Sequence, residues 1–69
     1  MTVDDFSISD LVLTTRDIRA GRDENGPFVC QRGTKGVVVE VEKSEWDGVH
    51  VRLDSGALWW FKPSQLRSA

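Results

Sequence analysis

The chain has 69 residues, with nine Lys and Arg against eleven Asp and Glu for a net charge of −2, and it holds one cysteine and one histidine. That length suffices for one domain, and a domain this small hides only about 60% of its unfolded surface, so its thin core leaves no room for a large enclosed substrate cavity. The lone Cys30 excludes an internal disulfide, and Cys30 with His50 falls short of the four ligands, largely Cys and His, that a zinc site takes; no metal and no cofactor is expected.

Residues 1–9 are polar and acidic, with Val3, Phe6 and Ile8 as apolar points, and read as a flexible N-terminal arm. The Met1–Asp5 stretch lacks the basic and apolar regions of a signal peptide. No apolar run reaches membrane-span length. These features predict a cytoplasmic protein with no membrane association.

The domain proper is expected over residues 10–69. Asp10–Thr15 is β-branched and apolar, and predicts a first strand. Arg16–Pro27 mixes charges with Gly21, Asn25, Gly26 and Pro27, the signature of a long solvated loop with Ile18 as its aliphatic anchor. Phe28–Cys30 reads as a short strand closing that loop, and Arg32–Gly36 as a turn. Gly36–Lys43 is the clearest strand; simple alternation puts Val37, Val39 and Val41 on one face and Val38, Glu40 and Glu42 on the other. A loop carrying Trp46 follows. Val49–Leu53 alternates cleanly, with His50 and Arg52 opposite the aliphatics. Asp54-Ser55-Gly56 is a hairpin turn in which Gly can take positive φ. In Ala57–Phe61, Leu58 and Trp60 share one face, and Ala57, Trp59 and Phe61 the other. Pro63–Leu66 reads as one helical turn started by Pro, and Arg67–Ala69 as a last short strand.

Several short strands joined by glycine-bearing turns predict an all-β barrel or sandwich, and closure disposes of exposed sheet edges. Val37, Val39, Val41, Val49, Val51 and Leu53 are the expected core.

The order of elements, with Glu45-Trp46, Val49–Leu53, Ser55-Gly56 and Trp60-Phe61-Lys62-Pro63-Ser64-Gln65-Leu66, resembles an SH3-like barrel. There a Trp ends the middle loop, a Gly marks the distal turn, and a Pro-Ser-led helical turn precedes the last strand. Among bacterial SH3-like modules, Arg16-Asp17-Ile18-Arg19 through Gly33 to Val38 is similar to NifZ-type accessory proteins. Gly36–Val41 with Val51–Gly56 is similar to Mib/Herc-type domains. The resemblance implies a single barrel of about five strands with a long first loop and a helical turn before the last strand. It also exposes a departure: the peptide groove of an SH3 domain is lined by tyrosines, this chain has none, and Leu66 stands where one would fall.

Three tryptophans are the strongest functional signal, because aromatic anchors are favoured at binding hot spots. Strand phase assigns Trp60 to the core. It assigns Trp59 and Phe61 to the outer face, beside His50 and Arg52. Trp46 sits in a polar loop. Arg16, Arg19 and Arg22 recur every third residue, interleaved with Asp17, Asp23 and Glu24, an arrangement that neutralises itself unless the arginines splay to one side. Trp46, Trp59, Phe61, Arg52, Arg19 and Arg22 are therefore expected around one exposed partner-binding patch.

Catalysis is not expected. Cys30 and His50 have the chemistry of a nucleophile and base, yet no third orienting group or oxyanion-hole motif accompanies them. Gly33 and Gly36 lack the spacing of a phosphate loop and read as turn glycines. The expected function is a non-catalytic protein-interaction module or accessory subunit, with a protein partner or a second copy of the chain covering the patch. The alternatives are a nucleic-acid-binding barrel, which the negative charge disfavours, and a subunit of an oligomeric enzyme.

Overall fold

A computed structural model describes residues 3–20, 26–43 and 47–69. The structure is all-β. A 3₁₀ turn at Val3–Asp5 precedes β1 (Leu11–Thr14), β2 (Ile18–Arg19), β3 (Phe28–Cys30), β4 (Lys35–Glu42), β5 (Gly48–Leu53) and β6 (Leu58–Phe61). A second 3₁₀ turn at Pro63–Gln65 leads into β7 (Leu66–Ser68). Five strands form one antiparallel sheet in the order β6-β5-β4-β1-β7, while β2 and β3 form a separate small hairpin. The expected order is strand, long loop, strand, shorter loop with a Trp, strand, tight turn, strand, helical turn and short strand; its strands and turns are found in that order, and Trp46 of the shorter loop lies outside the described residues. The long loop contributes a hairpin of its own, because Ile18 is buried and pairs with Cys30.

Two turns follow from glycine. Gly33 has φ +83° and closes a tight turn in which the Thr34 amide donates to the Gln31 carbonyl at 3.2 Å. At the β5–β6 hairpin the Gly56 amide donates to the Leu53 carbonyl at 2.8 Å, and Gly56 has φ +91°. That is a three-residue connection ending in a left-handed residue. It sets Val51 opposite Trp59 and Val49 opposite Phe61.

The core comprises Val3, Phe6, Val12, Ile18, Cys30, Val38, Val49, Val51, Leu53, Phe61 and Leu66, with Val29, Val41 and Trp59 packed against it. Three expectations are corrected here. Residues Val3 and Phe6 are buried, so the segment read as a loose arm closes the core, and of its three apolar points only Ile8 stands exposed. In β4 the first half faces the other way: Val38 is buried, whereas Val37 and Val39 are half-exposed. The cause is a register shift between Val38 and Glu40, where Val39 has no partner in the pairing with β5. Such a bulge reverses the inward phase along one strand, which returns Val41 to the core side opposite Val49. In β6 the phase is the reverse of the expectation, with Phe61 fully buried and Trp60 on the outer face.

Thr14 is the one buried polar residue among those described. Its hydroxyl donates to the Gln31 carbonyl at 2.9 Å and accepts from the Thr34 amide at 3.1 Å. This ties the end of β1 to the turn before β4. The second 3₁₀ turn is fixed to the same end of β1, since the Thr15 amide donates to the Gln65 carbonyl and its hydroxyl to the Ser64 carbonyl.

Candidate functional site

Of the six residues expected to form one patch, the four described ones do not assemble as one. Phe61 has no solvent exposure and cannot contact a partner. Trp59 is half-buried against the core, opposite Val51. Arg52 is exposed on the outer face of β5. Arg19 lies on the β2–β3 hairpin, its guanidinium 5.4 Å from the centre of the Phe28 ring and donating to the Gly26 carbonyl at 3.2 Å. Trp46 and Arg22 lie outside the described residues. Leu66, at the position where the resemblance would place a groove aromatic, is buried.

A different surface emerges from the register. The pairings Leu11↔Val37, Val37↔Arg52 and Arg52↔Leu58 line up one side chain from each of β1, β4, β5 and β6 across the sheet. All four are on the outer face: Val12, Val38, Val51 and Leu53 beside the first three are buried, and Leu58 is paired with the outward Arg52 while its neighbour Trp59 packs against the core. Leu11 is 64% exposed and Leu58 55%. Side chains at paired positions stand about 4.5–5.5 Å apart at Cβ, so the row is continuous.

A parallel row follows from Leu13↔Lys35 and Leu13↔Arg67, carrying a half-buried leucine between two exposed cations. On the other side of the first row, Glu40, His50 and Trp60 are paired in sequence across β4, β5 and β6. His50 and Trp60 stack with ring centroids 4.4 Å apart and planes 8° from parallel. The His50 Nδ1 is 4.0 Å from the Glu40 carboxylate.

This face is therefore apolar along its middle and polarised along β4. Lys35 and Arg67 occupy one end, Arg52 lies within the middle row, and Glu40 and Glu42 lie toward the other end. Among the described residues none of the three cations is in an ion pair. The sequence held the signal for half of this surface. A three-residue turn pairs Leu53 with Ala57, so once Val49 and Val51 are taken as inward, Trp59 and Phe61 must be inward too.

Nucleophilic chemistry finds no support in the geometry. Cys30 is in the core and His50 on the outer face, so the sheet separates them. Burial pushes the Cys30 thiol above its ordinary pKa, against smaller opposing effects of hydrogen bonds with Thr34 and Thr14. A buried thiol of this kind behaves as a small hydrophobe. No three of His, Cys, Asp and Glu come together as a metal-ligand group among the described residues. No helix among those residues is long and apolar enough to cross a membrane.

No protein-family model matches the chain, and neither a curated protein nor a solved structure matches it.

Proposed function

We propose that the chain is a small SH3-like barrel acting as a non-catalytic protein-interaction module or accessory subunit, with the outer face of its five-stranded sheet as the contact surface. The observation that carries this reading is the cross-strand row of Leu11, Val37, Arg52 and Leu58. Exposed aliphatic side chains are ordinary when scattered. Here they are in register on adjacent strands, beside a stacked His50–Trp60 pair, on the side of the sheet that the core does not use. Contiguous apolar surface rimmed by polar groups marks interaction sites. The tyrosine-lined groove of peptide-binding SH3 domains has no counterpart in this sequence, so the functional surface is relocated from the loop end to the sheet face.

Site-directed photocrosslinking tests the assignment. A photoreactive residue replacing Leu58 or Leu11 should give discrete protein adducts in host cells, and one replacing Asp17, an exposed residue between β1 and β2 that belongs to neither row, should not. Adducts only from position 17, or none from positions 11 and 58, would remove the outer face from consideration. Adducts to RNA or DNA at positions 11 and 58 would favour the nucleic-acid reading.

A further inference from the structure

We infer that the outer sheet face takes a short, acidic, aliphatic segment of a partner protein, docked with its carboxylates over Lys35, Arg52 and Arg67. The inference rests on the proposed interaction role and specifies the chemistry of the occupant.

Three observations select it. The first is size. Strands about 4.8 Å apart and about 3.3 Å of rise per residue give a face of about 19 by 13 Å, roughly 250 Å², across five strands and four residues. A stable globular interface needs about 800 Å² from each partner. The face is too small for a second folded copy of this chain and matches an extended segment of about six residues.

The second is charge. The protein as a whole is acidic at −2, yet the apolar row is flanked by Arg52 within it and by Lys35 and Arg67 in the next row. All three are exposed and, among the described residues, outside any ion pair. An arriving carboxylate therefore displaces no existing partner. Arg52 lies within the apolar row, paired with Val37 and Leu58, where a bound segment would shield its guanidinium from water and strengthen a charge-assisted hydrogen bond.

The third is the interleaving of charge with hydrocarbon. Leu11, Leu13, Val37 and Leu58 are interspersed with the cations across the two rows, each cation having an aliphatic residue as a paired neighbour. A phosphate backbone offers nothing to those aliphatic groups. A segment with Leu or Ile among Asp and Glu satisfies both kinds of position. Its acidic end is oriented by Glu40 and Glu42 toward the opposite end of β4.

Selection of random twelve-residue peptides on the immobilised full chain, with binding then measured by fluorescence anisotropy, tests this. The selected peptides should be enriched in Asp and Glu together with Leu, Ile or Val. Leu58→Asp should weaken their binding at least tenfold. Arg52→Glu should do the same to acidic peptides while improving binding of a twin in which each acid is replaced by Lys. Both sites are exposed, and circular dichroism should show each variant folded. If the selected peptides lose binding in Leu58→Asp but carry no acidic bias, or ignore Arg52→Glu, the acidic partner is wrong and the interaction role stands. If no peptide is selected, or binding ignores Leu58→Asp, the interaction role itself fails. A single-stranded oligonucleotide bound more tightly than any peptide, with affinity falling steeply with salt, overturns both in favour of nucleic acid.

Discussion

His50 and Trp60 lie face to face on the outer side of β5 and β6, 4.4 Å apart and 8° from parallel. The pairing that stacks them also sends the next residue, Phe61, inward to full burial opposite Val49. Two adjacent aromatic residues thus have opposite roles, one structural and one at the surface.

Their substitutions should separate accordingly. Phe61→Ala removes a fully buried ring and should cost about 3–5 kcal/mol, enough to unfold much of a domain this small. Trp60→Ala should cost much less, since Trp60 is only partly buried, on the outer face, where it stacks on His50. Urea denaturation of the two variants gives the comparison. Equal losses would mean that Trp60 supports the fold as much as Phe61 does.

Gly36 should resist any side chain. It sits opposite Leu53 and is buried. A methyl group there would overlap Cγ1 of Val51 and approach the Arg52 carbonyl oxygen to 3.0 Å. Gly36→Ala should therefore destabilise by about 1–3 kcal/mol, the usual cost of overpacking. Combined with Val51→Ala, the loss should be smaller than the sum of the two single losses, because part of the clash is removed. Additive losses in denaturation would show that Val51 is not the obstacle.

Thr14→Val keeps the shape of a buried side chain and removes its hydroxyl. The Thr34 amide would lose its Oγ1 acceptor, and the Gln31 carbonyl would lose one of its donors. The expected cost is about 1–3 kcal/mol, whereas Thr14→Ser should retain the hydrogen bonds and lose only the methyl contact. Greater stability of the valine variant over the serine variant in the same denaturation series would refute the role given to the hydroxyl.

Cys30 should make stability depend on alkaline pH. Burial raises its pKa above the ordinary value of 9.0, so the folded state holds the proton more tightly than the unfolded chain. Its contribution is complete below the unfolded pKa and is lost as pH rises from there through the folded value. The stability difference between the wild type and Cys30→Ala should therefore shrink as pH rises above about 9. A difference that stays constant from pH 8 to pH 11 would show that the thiol is not protected by the fold.

The sequence by itself determined the all-β class, the β5–β6 turn, the helical turn begun by Pro63 and the inward face of β5. Each depends on local chemistry: alternation of Val49, Val51 and Leu53, the left-handed tolerance of Gly56, and the fixed φ of Pro63. Tertiary structure decided which valines of β4 are buried. Four successive candidates, Val37 to Val41 with Glu40 between, satisfy either phase, and the choice was made by the extra residue at Val39 and by Gly36 packing under Val51. It likewise drew Val3 and Phe6 into the core, since seven strands of this length need apolar cover from outside the sheet. The outer row of Leu11, Val37, Arg52 and Leu58 exists only through the register of four strands, and no spacing along a single chain records which residues four strands place side by side.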